Sequence, residues 1–250
     1  MKKNLLVSGY DVIPEYDYEN LILHGNNRDA VSDSQEYIAD GCSWQLFYLY
    51  GSVGLGKTHL AHAMANRFLE RNPRASVRYI LIETLISELV AALHDEKQGE
   101  QHKVEQLSGK YGQETDFLIL DDIQYLEGKP GTGEFVAEIL KQRMESGKKT
   151  VIISDRTVEC QMEQIPAFSE CLQKSYCAEL KKPDDGERLD ILQKLSVKDS
   201  VLKDFKFPEE TLEEAAAASD GDIRSLRGSL LKLAVYHLLN QGEKTVYKNN

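Results

Sequence analysis

Gly51-Ser52-Val53-Gly54-Leu55-Gly56-Lys57-Thr58 decides the reading of this 250-residue chain. Glycines at these spacings let the backbone curl so that successive N–H groups face one anion. A lysine placed like Lys57 reaches β- and γ-phosphates, and a hydroxyl placed like that of Thr58 can hold Mg²⁺. The flanks agree with a phosphate-binding loop. Leu46-Phe47-Tyr48-Leu49-Tyr50 is a buried-strand run, and residues 58–71 carry a helical pattern whose N-terminal dipole would face the phosphates. The nucleotide-binding assignment covers the whole loop and extends to His59, the next residue along that helix.

Working outward, four more apolar runs read as buried strands: Val77 to Ile82, Phe117 to Leu120, Thr150 to Ile153 and Tyr176 to Leu180. Helical patterns occupy the intervals at about 58–71, 84–94 and 133–146. Alternation of this kind predicts a parallel sheet covered on both faces. Beyond Pro183 the texture changes, and 184–196, 209–218 and 222–240 read as helices with no further strand. The expected division is therefore an α/β nucleotide-binding domain over 1–180 and an all-helical subdomain over 181–250. The mixed-charge, glycine-punctuated segment 95–114 reads as a solvated helix end and loop.

Bulk composition excludes several classes. A content of 41% hydrophobic and 28% charged residues is that of an ordinary globular chain. No apolar run approaches the roughly 20 residues of a membrane span. The apolar stretch after Met1-Lys2-Lys3 stops at Ser8-Gly9, too soon for a signal peptide. Cys42, Cys160, Cys171 and Cys177 form no Cys-x-x-Cys pair, which predicts reduced thiols in a cytoplasmic protein. A net charge of −11 argues against broad nucleic-acid binding, which rests on clustered Lys and Arg.

The second half of the expected site is Phe117-Leu118-Ile119-Leu120-Asp121-Asp122. An apolar strand ending in acids puts a carboxylate at the sheet edge where α/β ligands bind. Asp121 is expected to hold Mg²⁺ beside Thr58, and Asp122 to orient the attacking water. The run 150–153 ends in Ser154-Asp155-Arg156. Asp155, at the tip of the strand expected between the two motifs, can sense the γ-phosphate, and Arg156 reads as a local salt-bridge partner. In the helical part, Ile223, Leu226, Leu230, Leu233 and His237 share one helical face. Arg224 and Arg227 lie beside that stripe near the helix start, where a cation is mildly unfavourable. An arginine there reads either as a bridge from lid to phosphate or as a plain surface residue.

With these pieces in place the chain resembles the AAA+ ATPase core of the bacterial replication initiator DnaA and its shorter relative Hda. The resemblance runs over most of the sequence. It rests on Tyr16 to Ile22 followed by Asn26-Asn27-Arg28, on Gly54 to Leu60 with His62, Ala63 and Asn66, and on Asp121-Asp122-Ile123-Gln124-Tyr125-Leu126 with Gly128-Lys129. It rests further on Ser154-Asp155-Arg156 and on Asp222 to Leu226 with Gly228. The resemblance implies an AAA+ P-loop fold with a five-stranded parallel sheet and a helical lid, with ATP or ADP and Mg²⁺ as cofactors. It implies Asp155 and Arg224 as first and second sensors, and Tyr16 to Ile22 lying against the adenine. The implied role is a slow ATPase switch in replication initiation or its control, through nucleotide-dependent assembly with a DnaA-type or other replication protein and self-association. A helicase-loader-like ATPase is the nearest alternative, and a small-molecule kinase a more distant one.

Three departures from the family's pattern bear on that expectation. No arginine stands between Arg156 and Arg188, where the family carries its arginine finger, and Lys174 is the only basic residue from 157 to 180. Lysine lacks the bidentate fork of a guanidinium, and whether Lys174 replaces the finger stays open. The stretch Val104 to Glu114, which contacts single-stranded DNA in the family, holds few cations here, so weak or no DNA binding is expected. The sequence ends at Asn250 without a helix-turn-helix, which fits either a short relative or a fragment.

Overall fold

The computed structural model describes residues 12–97, 102–219, 221–239 and 247–248. The reading of Met1 to Ser8 lies outside the described residues. After the N-terminal segment, helix α1 (Arg28–Tyr37) leads into strand β1 (Leu46–Tyr50), and the glycine-rich loop opens helix α2 (Lys57–Arg71). Then follow β2 (Val77–Leu81), α3 (Ile82–Lys97), α4 (Lys103–Gly112), β3 (Phe117–Asp121), α5 (Pro130–Glu145) and β4 (Lys149–Ser154). Short helices α6 (Val158–Gln164) and α7 (Ser169–Gln173) precede β5 (Tyr176–Glu179).

The five strands form one parallel sheet in the order β2-β3-β4-β1-β5. Its central strands are buried on both faces: Leu46, Phe47, Tyr48 and Leu49 are fully enclosed, as are Phe117, Leu118 and Ile119. That is why each reads as an unbroken apolar run rather than an alternation. One face packs against α3, α4 and α5 around Ile82, Leu85, Val136 and Leu140. The other packs against α1 and α2 around Tyr37, Leu60 and Met64. Because β4 lies between β1 and β3, the tip carrying Ser154-Asp155 falls between the glycine loop and the acidic strand, as expected.

Arg143 ties the far edge of this sheet together. It is fully buried, and its hydrogen bonds go to neutral oxygens, with the Asp116 charge acting on it from nearby. Its guanidinium donates to the carbonyls of Tyr111, Thr115 and Lys149 at 2.6–2.7 Å and to Thr150 Oγ1 at 2.7 Å. One side chain thereby fixes the end of α4 and the start of β4.

After Pro183 come α8 (Asp185–Lys198), strand β6 (Phe205–Lys206), α9 (Glu209–Ala217), α10 (Ile223–Leu239) and strand β7 (Tyr247–Lys248). They enclose a separate apolar cluster of Ile191, Leu192, Leu202, Leu212, Leu226 and Leu230. Ile22 of the N-terminal segment inserts into that same cluster.

Three sequence expectations are corrected here. The helical part is not free of strands, since β6 and β7 pair antiparallel over two residues each; so short a bridge leaves no period to detect. The segment 95–114 is not merely a helix end and loop. Among its described residues α4 buries Leu107 and Tyr111, with Val104 packed alongside, at spacings of three and four. The stripe on α10 buries Leu226, Leu230 and Ala234, while Leu233 is only partly covered; the His237 side chain lies outside the described residues.

Candidate functional site

The loop between β1 and α2 is held in conformations that only glycine takes readily. Gly54 has φ +84° and Gly51 φ +146°. A side chain at Gly51 would run into the Leu180 carbonyl just past β5, and one at Gly54 into the Asp222 carboxylate. Leu55 is buried and anchors the loop, whereas Ser52 and Val53 are exposed at its crest. Helix α2 starts at a left-handed Gly56 with no side-chain cap. Its first N–H groups are therefore left to water or an anion.

Lys57 is buried, and its Nζ donates to the Gly51 and Ser52 carbonyls at 2.6 and 2.9 Å. Burial lowers its pKa, opposed by the charges of Asp121, Asp155 and Asp122. Thr58 Oγ1 donates to Asp121 Oδ2 at 2.8 Å, joining two motifs 63 residues apart in sequence. Asp121 is 3% exposed, and burial raises its pKa although Thr58, Tyr79 and the Asp122 amide all donate to it. A threonine hydroxyl and a carboxylate are hard oxygen donors of the kind Mg²⁺ takes, with phosphate oxygens and water completing its shell. The donor set fits the cation.

Asp122 is left-handed at φ +60°, and its Oδ1 accepts from Gln124 Nε2 at 2.9 Å. Asp155 is exposed at the tip of β4. Ser154 Oγ bonds the fully buried Gln161 at 3.0 Å. Arg156 meets Glu127 at 3.0 Å and Asp155 at 3.7 Å, the local ion pair expected of it. His59 stacks on Tyr16 with ring centroids 4.7 Å apart, and a ring nitrogen lies 2.9 Å from the Asp17 carbonyl. It thus faces the N-terminal segment rather than the centre of the loop.

The lid reaches the loop directly. The Arg224 N–H donates to the Gly54 carbonyl at 3.2 Å. The Asp222 carboxylate lies against Gly54 and caps α10 by accepting from Ser225 N at 2.8 Å. The Arg224 side chain is exposed beside this contact. Arg227, its neighbour in the sequence reading, pairs with Asp199 at 2.6 Å within the lid. The glycine loop, the acidic end of β3, the Ser154-Asp155 tip of β4 and Arg224 thus converge at one end of the sheet. Tyr79 belongs to the same constellation and was not anticipated; Asp222, named above only as part of the motif around Arg224, joins it through its contact with Gly54. A tyrosine inside a strand run reads as core, and an aspartate before a helix reads as a cap.

This arrangement defines a P-loop nucleotide-binding unit of the AAA+ type. The family of the bacterial DnaA ATPase domain matches residues 12–177. The chromosomal replication initiator protein DnaA of Thermotoga petrophila is 31% identical over 223 residues, 89% of this chain and 48% of that protein. The crystal structure of domain III of the Thermotoga maritima initiator superposes with a TM-score of 0.81 at 30% identity, covering 94% of each chain. AMPPCP-bound DnaA from Aquifex aeolicus shares the fold, with a TM-score of 0.74 at 21% identity over 92% of this chain and 68% of that one. The chain belongs to the bacterial DnaA ATPase domain family, whose members bind and hydrolyse ATP as a class. It spans about half the length of the curated relatives it matches. No helix among the described residues is long and apolar enough to cross a membrane.

Proposed function

We propose that the chain binds ATP or ADP with Mg²⁺ and works as a slow ATPase switch. Nucleotide state would govern its assembly with a DnaA-type partner, or with copies of itself, in replication initiation or its control. The observation that carries this is the 2.8 Å bond from Thr58 to Asp121. It brings the phosphate loop and the acidic strand into one cation-ready pair, in a chain belonging to an ATPase family.

In this reading the loop residues Gly51 to Lys57 cradle the phosphates, with Lys57 on the β- and γ-phosphates. Thr58 and Asp121 hold Mg²⁺, which neutralises phosphate charge when bound. Asp122 orients the attacking water, Asp155 senses the γ-phosphate, and Arg224 bridges from the lid. His59 contributes by fixing the N-terminal segment beside the loop. The chain divides its work between an α/β unit over 1–180 and a lid over 181–250. The lid's grip on Gly54 supplies the route from nucleotide to subunit contacts. Binding to single-stranded DNA is weak and salt-sensitive, given the net charge of −11 and the ion pair that Lys110 of α4 makes with Glu88.

Titration with a fluorescent ATP analogue tests the core of the proposal. Lys57→Ala removes the phosphate-facing cation without opening the apolar core. Binding should be lost with the fold retained, and unchanged affinity would refute the phosphate-loop assignment.

A further inference from the structure

The Asp121 carboxylate offers about four acceptor positions, two per oxygen. Thr58 Oγ1 at 2.8 Å and the Tyr79 hydroxyl at 2.9 Å both donate to Oδ2. The Asp122 N–H donates to Oδ1 at 2.9 Å. Among the described residues that leaves one position open, on Oδ1. The sheet register explains how Tyr79 reaches this group. Leu81 pairs with Asp121 and Tyr79 with Ile119, so Tyr79 and Asp121 share one face of the sheet and lie diagonal to each other. A phenol spans that diagonal, whereas a shorter side chain would not.

The ring of Tyr79 is itself held. It packs on His62 with centroids 4.6 Å apart, and His62 meets the edge of Tyr16 at 5.6 Å. The buried His62 also accepts the Ile13 N–H on Nδ1 at 3.3 Å. The hydroxyl is therefore delivered from a braced ring. We infer that Tyr79 is a positioning residue for the Mg²⁺ half of the site: its hydroxyl occupies Oδ2 of Asp121 and so turns the remaining acceptor position of Oδ1 toward the cation or its water. The inference rests on the proposed reading of Thr58 and Asp121 as the cation pair. Hydrogen-bonded supports of metal-ligating carboxylates typically contribute about 10–100-fold in metal affinity or activity.

The test is a titration of fluorescent ATP-analogue affinity against Mg²⁺, begun in EDTA, for the wild type, Tyr79→Phe and Asp121→Asn. Phenylalanine keeps the ring on His62 and removes only the donor. Tyr79→Phe should leave the EDTA affinity unchanged, lower the thermal midpoint only by the loss of one hydrogen bond and raise the Mg²⁺ concentration at half-effect by about 10-fold. Tyr79→Leu, which also loses the ring contact, should lower the thermal midpoint further. An unchanged Mg²⁺ response in Tyr79→Phe, beside a shifted one in Asp121→Asn, overturns the inference and leaves the site reading standing. An equal loss of affinity with and without Mg²⁺ shows a packing role only and also overturns it. A wild type whose affinity ignores Mg²⁺ refutes the cation pair itself, and the inference with it.

Discussion

Gly54→Ala is the sharpest probe of the joint between lid and phosphate loop. Two costs are separable in the structure. The first is conformational: Gly54 sits at φ +84°, and a left-handed residue with a Cβ costs about 1–2 kcal/mol. The second comes from the lid. The added methyl would meet the Asp222 carboxylate, whose Cγ lies 2.9 Å away, and Arg224 Cβ at 3.2 Å. To clear it, Asp222 must swing and release Ser225 N, and losing such a cap costs about 1 kcal/mol.

If the empty loop relaxes to escape this strain, nucleotide binding must restore it. The total of about 2–3 kcal/mol then appears as about 30- to 140-fold weaker binding, at 1.4 kcal/mol per decade. A calorimetric titration with ATP and Mg²⁺ measures it, repeated in an Asp222→Ala background to form a double-mutant cycle. In that background only the conformational cost should remain, about 5- to 30-fold. Equal losses in both backgrounds would refute the argument that the lid presses on the loop through Asp222. Gly41→Ala is the control. It too is left-handed, but open space surrounds its added methyl and it lies away from the loop, so nucleotide affinity should not change.

Three further outcomes are expected. Asp122→Asn should retain ATP and slow its hydrolysis, whereas Asp121→Asn should weaken the Mg²⁺ dependence of binding; one shared phenotype would contradict the division of roles. Burial pushes the pKa of His62 down to about 4 and lowers those of His24 and His59 in the same direction. The native state therefore holds fewer protons than the unfolded chain, so stability is full above pH 6.5 and falls as the pH drops toward 4. Thermal midpoints of wild type and His62→Phe should show a shallower fall in the variant, and parallel curves would refute the assignment. Lys174 is exposed and paired with Glu170 at 3.1 Å, and no arginine stands from 157 to 180. Specific ATPase activity should therefore stay flat with protein concentration, where a trans arginine would add about 10³–10⁵-fold; a steep rise abolished by Lys174→Ala would show a working lysine finger.

The parts of the site legible in the sequence are those whose chemistry is set within a few residues. Gly51 to Thr58 announces itself because one backbone path and one cation must meet one phosphate group. Leu118 to Asp122 does so because an apolar strand ending in acids follows a glycine-rich phosphate loop in the same chain. The central strands β1, β3 and β4 were legible because helices enclose them on either side. What escaped was set by distance. The α4 helix hid behind its glycines and charges, and only the burial of Leu107 and Tyr111 against the sheet reveals it. The β6–β7 pair spans more than 40 residues for two residues of ladder, which no local pattern records.

Tyr79 shows where the boundary falls. On its own strand it is one residue of an apolar run with Val77, Ile80 and Leu81, and its hydroxyl has no role there. It acquires one only because β2 pairs with β3 in a register that sets Leu81 against Asp121. A shift of one residue would turn the phenol to the opposite face of the sheet. The Asp222 contact has the same character, since it exists only once α10 has folded back over the loop. Local sequence thus names the groups proposed to touch phosphate and cation, while register and domain packing choose the groups that hold them in place. The supporting groups are therefore where substitutions should change cation affinity and lid coupling without erasing nucleotide binding, whereas changes at Lys57 should erase it outright.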